Sequence, residues 1–200
     1  MSEPMFGCFR LVGGTNLALK FNHRISTDID LFTDAEYGSL DFSLFEKWLK
    51  NNFSYYDCTE NSDSVVMGRT YYVGDCKGNA IKLDLMYEND KFLFDKDLIN
   101  GIPFADIREI AVMKMDAIFY GGRKKDFWDL HYLLFDLKMK LSELIELHSQ
   151  RFIYQHDRNE LIERLTDFSR ADDEPDPICN LGKNWDIIKL DIIDAVQSIS

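Results

Sequence analysis

The sequence has little that would mark an exported, membrane-spanning or cysteine-stabilised protein. No run approaches the roughly 18 apolar residues that a transmembrane helix needs, and the N-terminal MSEPMFGCFR lacks the basic and apolar regions of a signal peptide. The four cysteines are scattered and form no CxxC motif. This pattern argues against a zinc cluster or a disulfide framework and predicts a protein of the reducing cytoplasm.

Positive charge is also scarce. The 200 residues contain 23 Lys and Arg against 35 Asp and Glu, a formal net charge of −12 at pH 7. This excess of negative charge disfavours non-specific binding to duplex DNA or to an anionic membrane. A local anion site stays compatible with it, because a basic run lies at 123–125. The sequence contains no complete GxxxxGK[ST] loop and no convincing Ser-His-Asp or Cys-His arrangement.

The hydrophobic pattern changes halfway along the chain. Alternating apolar residues predict strands at 9–14, 26–34, 64–75 and 80–87. Helical periodicity predicts helices at 15–21, 39–53, 104–120, 124–137, 141–152, 158–168 and 184–199. In the helix at 39–53 the expected apolar stripe is Leu40, Leu44, Trp48 and Leu49. Strands followed by helices predict an α+β fold, with a small α/β unit over 1–100, a helical unit over 101–200 and a cleft between them.

Two aspartates interrupt the apolar strand in RISTDIDLF (24–32). Because side chains i and i+2 of a strand point the same way, Asp28 and Asp30 lie close together on one face. Like charges at that distance repel each other unless a cation neutralises them. Two alternatives are that Asp28 caps a turn or pairs with Arg24.

The strand at 80–87 offers a third carboxylate. Asp84 shares one strand face with Lys82 and Met86, and it would join the first two aspartates if the two strands are neighbours. Three oxygen ligands suit Mg²⁺ or Mn²⁺, and no His/Cys pattern favours zinc. Two such ions can clamp the attacking and leaving oxygens in phosphoryl transfer.

A glycine-rich segment, VGGTNLAL (12–19), lies where the first strand is predicted to become a helix. Gly13 and Gly14 would allow a phosphate to approach the backbone, and the N–H groups of a first helical turn favour an anion. Twelve residues separate Thr15 from Asp28, enough for one helix and a return to the strand. The alternative is a simple Gly-Gly turn.

These segments together resemble a known family. GGTNLAL followed by HRISTDIDLF is similar to the signature of nucleotidyltransferases of the DNA polymerase β superfamily. More narrowly it resembles the AbiEii/AbiGii toxins, the enzymatic half of a bacterial type IV toxin–antitoxin system. A third element of that family, K-x-x-A followed by a basic stretch and D-x-x-D-L, matches Lys114, Ala117 and RKKDFWDL (123–130). The resemblance covers residues 9–137, and it implies a further helix before the first strand, which this sequence does not show.

The resemblance implies a mixed sheet of the nucleotidyltransferase fold with flanking helices, followed by a helical C-terminal half. It implies an enzyme that moves NMP from an NTP to an acceptor hydroxyl and releases pyrophosphate. The implied metal ligands for Mg²⁺ or Mn²⁺ are Asp28, Asp30 and Asp84, the last also a candidate base for the acceptor proton. The implied nucleotide-binding residues are Gly13, Gly14, Thr15, Ser26 and Lys114, with Asp126 completing the site from the helical half.

Two of these residues also have structural interpretations. Lys114 falls on a helical stripe with Ile107, Ile110, Ala111, Ala117 and Ile118 that should face the core. A lysine there needs a partner or a route along its stem to solvent. Asp126 and Asp129 lie in the first turn of the next helix, where carboxylates cap free N–H groups.

The acceptor and partners are less specified. The resemblance implies an RNA acceptor, such as a tRNA 3′ end, or a protein hydroxyl, together with a cognate antitoxin; the acidic composition disfavours a large RNA. A different class of function is an inactive nucleotidyltransferase-fold protein that acts by binding or regulation. A metal-dependent glycosyltransferase also uses DxD, but this chain is short for that larger fold.

Overall fold

The computed structural model describes residues 3–59, 67–152 and 156–199, which fall into two units. The first unit comprises Met1–Thr15 and Thr27–Ala105, and the second comprises Asn16–Ser26 and Asp106–Ser200. The division at 105/106 lies close to the boundary predicted at 100/101. The segment 16–26 is the exception, since it belongs to the second unit although it lies early in the chain.

Seven strands from the described part of the first unit form one mixed sheet. The strands are β1 (Arg10–Val12), β2 (Ile29–Thr33), β3 (Tyr55–Cys58), β4 (Gly68–Gly74), β5 (Ile81–Tyr87), β6 (Asp97–Ile99) and β7 (Ile102–Phe104). Their order is β3-β4-β5-β2-β1-β7-β6. The pairs β2/β5 and β1/β7 are parallel and the other neighbours are antiparallel. The α+β prediction is confirmed.

The first helix begins earlier than predicted. Helix α1 (Gly13–Phe21) starts directly after β1, so the two glycines form its first turn rather than a turn before it. Gly13 has a φ of 67°, a left-handed conformation that glycine adopts without strain. This conformation lets the chain pass from strand to helix with no intervening loop.

One face of the sheet is covered by helix α2 (Phe42–Asn52). Asp41 caps this helix by accepting a hydrogen bond from the Ser43 N–H at 3.0 Å. Phe45 and Leu49 are buried, and the Phe45 ring packs 5.6 Å from that of Phe9. The predicted stripe is wrong at Leu44, which is 56% exposed.

Helices make up most of the second unit. They are α3 (Ile107–Phe119), α4 (Lys124–His131), α5 (Leu141–Arg151), α6 (Arg158–Arg164), α7 (Ser169–Asp172) and α8 (Trp185–Gln197). The predicted helices are confirmed in outline, but 104–120 begins only at Ile107 because Ile102–Phe104 pairs as β7. The helix predicted at 124–137 changes to π-helical geometry at Tyr132–Asp136. Within the described ranges, no helix has the length and apolar character needed to cross a bilayer.

Backbone hydrogen bonds explain why the segment 16–26 belongs to the second unit. The Ile25 N–H donates to the Ile178 carbonyl at 2.9 Å, and the Asn180 N–H donates to the His23 carbonyl at 3.0 Å. Arg24 and Cys179 form a β-bridge between these bonds. The segment directly before the DxD strand is therefore held by residues near the C-terminus.

Three observed strands were not predicted, and one predicted strand begins later than expected. Strands β3, β6 and β7 were not predicted, and they are short, three or four residues each. The strand predicted at 64–75 is observed as β4 from Gly68 onward. Residues 64–66 lie outside the described residues.

Candidate functional site

Two of the three predicted metal ligands lie opposite each other on neighbouring strands of the sheet, and the third directly precedes one of these strands. Strands β2 and β5 are parallel neighbours, and their register places Asp30 directly opposite Asp84. Paired residues on neighbouring strands, about 4.8 Å apart, project to the same face. Asp28 directly precedes β2, and its charge acts on Lys82 together with those of Asp30 and Asp84. The prediction that the two strands are neighbours is confirmed, and we refer to Asp28, Asp30 and Asp84 as the carboxylate trio.

The first turn of α1 lies against this trio. A Cβ atom added to Gly13 would lie 2.5 Å from Oδ2 of Asp30, so the Asp30 carboxylate would have to move. The Thr15 hydroxyl donates to the carbonyl oxygen of Asp28. Gly13 is half-buried, while Gly14 and Thr15 are buried. The glycine-rich turn and the DxD strand, twelve residues apart in sequence, are therefore in direct contact.

Lys82 supplies positive charge to the trio. Its ammonium group donates to Asp84 Oδ2, and the Thr70 hydroxyl donates to Asp84 Oδ1 at 2.7 Å. Burial alone would lower the pKa of Lys82, but the hydrogen bond and charge of Asp84, together with the charges of Asp30 and Asp28, outweigh it and raise that pKa. The same cation therefore interacts with all three carboxylates.

The donor chemistry of the trio fits a hard cation, because every side-chain ligand is a carboxylate oxygen. Among the described residues, Asp116, His148 and His156 offer three ligand atoms that all lie within 4.8 Å of one another. The ligand atoms of the trio do not meet that spacing. Lys82 is a counterion of the trio. Divalent ions would have to draw these carboxylates together.

Lys114 and Asp126 form an ion pair in the second unit. The Lys114 ammonium lies 2.6 Å from Asp126 Oδ1 and 2.8 Å from Asp129 Oδ2, and the lysine is only 7% exposed. Burial would lower the pKa of Lys114, but the charges of Asp129 and Asp126 outweigh it and raise that pKa. The alternative that Lys114 extends to solvent is wrong.

Asp129 is the centre of this buried network. Arg24 donates through Nε and Nη2 to its two oxygens, at 2.6 and 2.7 Å, and Nε2 of His23 lies 2.7 Å from Oδ1. Burial would raise the pKa of Asp129, but Lys114, His23 and Arg24 lower it well below its usual range. The Arg24 guanidinium thus makes a two-pronged contact with the Asp129 carboxylate.

Asp126 does cap its helix, as the structural alternative predicted. Its Oδ2 accepts the Arg123 N–H at 3.1 Å, while Oδ1 accepts from Lys114. Burial would raise the pKa of Asp126, but the charges of Lys114 and Arg123 keep it below its ordinary value. Ser26 is half-buried at the end of the segment 16–26. Ala117, expected on the core-facing stripe of α3, is exposed, although Ile110, Ala111 and Ile118 of that stripe are buried.

The sequence also shows family membership when it is compared with known proteins. The model of the family described as "Nucleotidyl transferase AbiEii toxin, Type IV TA system" matches residues 2–197. The chain belongs to the AbiEii family. An uncharacterized protein of Aquifex aeolicus, aq_aa25, is 30% identical over 149 residues, which is 72% of this chain and 66% of that protein. The match thus spans just under two thirds of that curated relative.

Solved structures share the fold of this AbiEii-family chain. JHP933 from Helicobacter pylori is 21% identical with a TM-score of 0.55, and the match covers 96% of this chain and 83% of JHP933. MenT4, a nucleotidyltransferase toxin from Mycobacterium tuberculosis, is 11% identical with a TM-score of 0.60, covering 96% and 76% respectively. The nucleotidyltransferase fold implied by the sequence is confirmed.

Sequence reasoning missed two of the charged groups. Lys82 was visible as a neighbour of Asp84 on one strand face, and its i, i+2 spacing was a sufficient signal. Asp129 was interpreted only as a helix cap. It is the second Asp of the D-x-x-D-L motif, and it binds His23 and Arg24, which belong to the other family motif. Since Arg24 and Asp129 are 105 positions apart in the sequence, no local pattern could have revealed that contact.

We expect Gly13→Ala to destabilise the first unit more than Gly38→Ala does. Both glycines have positive φ, so alanine carries a conformational cost of about 1–2 kcal/mol at either site. Only Gly13 adds the clash with Asp30, since Gly38 faces open space. Urea unfolding measures both variants. In an Asp30→Ala background the excess cost at Gly13 should disappear, and an excess that persists there would show that the clash lies elsewhere.

Lys114→Met should destabilise the second unit by about 3–5 kcal/mol, because it leaves buried carboxylates without their ammonium partner. Lys140→Met is the matched control, since Lys140 forms an exposed pair with Glu143 and its loss should leave stability unchanged. Thermal and urea unfolding of both variants provide the comparison. If Lys114→Met and Lys140→Met were equally stable, the buried network would not require Lys114.

Proposed function

We propose that this protein is a metal-dependent nucleotidyltransferase that moves NMP from an NTP to an acceptor hydroxyl. The observation that carries the proposal is the contact between the carboxylate trio and the first turn of α1. A surface with several carboxylates does not bind a triphosphate unless cations intervene. An anion-binding helix terminus directly beside such a surface fits a ligand that contains both phosphate and divalent cations.

The trio would hold Mg²⁺ or Mn²⁺, with Asp28, Asp30 and Asp84 as the ligands. Bound divalent ions would neutralise the charge of the phosphates and polarise the bond between the α and β phosphates. Within the chain, the N–H groups of the first turn of α1 would bind the terminal phosphates, with Gly13 leaving room for them. The Thr15 hydroxyl proton is engaged with the Asp28 carbonyl, so Thr15 would contribute its backbone N–H.

Asp84 has a second proposed role. It would accept the proton of the acceptor hydroxyl, since a carboxylate within the site can act as a general base. Both of its oxygens already accept hydrogen bonds from Thr70 and Lys82, which orient the carboxylate. Catalysis then consists mainly of positioning and charge neutralisation.

The acceptor and partners follow from the family rather than from the geometry. The family description supports a toxin of a type IV toxin–antitoxin system, and we propose that it acts in the cytoplasm with a cognate antitoxin. We propose an RNA hydroxyl, such as a tRNA 3′ end, as the first acceptor to test and a protein hydroxyl as the second. The roles of Ser26, Lys114 and Asp126 toward the nucleotide stay predictions from the resemblance.

Lys82→Met should tighten the binding of Mn²⁺ to the trio by about tenfold, or ~1.4 kcal/mol, because it removes a competing cation. The metal-free variant should also be less stable than the wild type, since the carboxylates lose their counterion. Isothermal titration with Mn²⁺ and unfolding in chelator measure these effects. Lys47→Met, on the exposed face of α2, is the control. Unchanged or weaker Mn²⁺ binding in Lys82→Met would contradict competition.

Incubation with α-³²P-labelled NTPs, Mg²⁺ and total bacterial RNA or lysate should label a macromolecule, whereas γ-labelled NTPs should not. The bond that breaks lies between the α and β phosphates, so the label stays with the NMP. Asp84→Asn should abolish transfer and retain nucleotide binding, because it keeps the shape of the side chain. Asp75→Asn, at an exposed turn, is the control and should transfer normally.

Other outcomes of this assay separate the alternatives. Labelled product that RNase destroys identifies an RNA acceptor, and product that protease destroys identifies a protein. Label arriving from the γ position would show kinase-like chemistry on this fold. Nucleotide binding without transfer from any NTP would identify the inactive binding protein instead.

A further inference from the structure

The second unit contains a compact cluster of two histidines and one aspartate. Asp116 lies on α3, His148 on α5, and His156 just before α6. Their ligand atoms all lie within 4.8 Å of one another. The two histidines lie outside the motifs that carry the nucleotidyltransferase resemblance, and Asp116 occupies an unspecified position of the K-x-x-A motif.

The spacing of this cluster suits a tetrahedral metal ion. Asp116 Oδ1 lies 3.0 Å from His156 Nε2 and 3.5 Å from His148 Nε2. Two atoms bonded to one tetrahedral Zn²⁺ at about 2.0–2.1 Å are about 3.3 Å apart. Two imidazoles and one carboxylate also form a common three-ligand set for zinc, which leaves one position for water.

The hydrogen bonding of His148 supports a missing ligand. Its side chain is 3% exposed, and Nε2 makes no hydrogen bond although it is buried. A buried polar atom without a hydrogen bond costs free energy unless another partner satisfies it. A metal ion bound to that nitrogen would satisfy it and would also bond the Asp116 oxygen that faces it.

Aromatic side chains surround the histidines and fix their orientation. The His156 ring stacks on Phe119 with centroids 3.8 Å apart, and the His148 ring lies 4.8 Å from Phe152. Asp116 keeps a side-chain exposure of 24%, which gives a water access to the fourth position. A rigid, apolar surround with one open side is the environment that holds a metal firmly.

We propose that Asp116, His148 and His156 bind one Zn²⁺ ion, with water as the fourth ligand. The ion would fasten the end of α5 and the start of α6 to α3, the helix that also carries Lys114. This link between the helices does not depend on nucleotide transfer. Sequence patterns gave no sign of the site, because its ligands are separated by 31 and seven intervening residues and follow no zinc motif.

The test uses the full chain, stripped with chelator and titrated with Zn²⁺ at neutral pH. The wild type should bind one equivalent and gain thermal stability, because the ion binds the folded state. His148→Gln and His156→Ala should weaken Zn²⁺ binding by more than the 10–100-fold typical of lost second-shell partners. His131→Gln is the matched control: it removes a buried His–Asp contact in the same unit, with Asp191, and should bind zinc normally.

Further variants separate this site from other zinc ligands. Asp28→Ala/Asp30→Ala and Cys8→Ser/Cys76→Ser should keep the single tight equivalent. Substitution of Co²⁺ into the wild type should give the intense visible bands of tetrahedral nitrogen and oxygen coordination, which makes the test independent of how the variants fold. Zinc binding that survives in Asp116→Asn and both histidine variants, or an octahedral cobalt spectrum, would overturn the proposal.

Discussion

Repulsion between carboxylates on one sheet face is the constraint on which the first unit depends. The parallel register of β2 and β5 sets Asp30 opposite Asp84, and a shift of one residue would turn one of them to the other face. Lys82 and the positively polarised start of α1 offset this repulsion. The glycine at position 13 is needed because the helix begins against the Asp30 carboxylate.

The part of the site that sequence could predict is the part governed by local periodicity. The alternation of a strand assigned Asp28, Asp30, Lys82 and Asp84 to one face without any structure. The one non-local step was the pairing of β2 with β5, which rested on the chemical plausibility of a third carboxylate. That step is confirmed by the register.

Prediction from the sequence failed where contacts between distant residues determine which side chains are buried and which strands form. Leu44 fits a helical apolar stripe, yet Phe45 is the residue that α2 buries, because aromatic rings from the N-terminal segment pack there. Strands β6 and β7 are too short to show alternation, and they exist because β7 pairs with β1. The role of Asp129 depends on Arg24, which lies far away in the chain.

The carboxylate trio and the ion-pair network around Asp129 differ in net charge, and this difference determines whether each needs an added cation. The trio and Lys82 sum to −2, three carboxylates against one ammonium, which favours a divalent cation. In the second unit, Asp126 and Asp129 meet Lys114, Arg24 and Arg123, a sum of +1. That network satisfies its buried carboxylates from within, so it is stable without a ligand. Divalent cations at the trio, as proposed above, would offset this negative charge within the first unit.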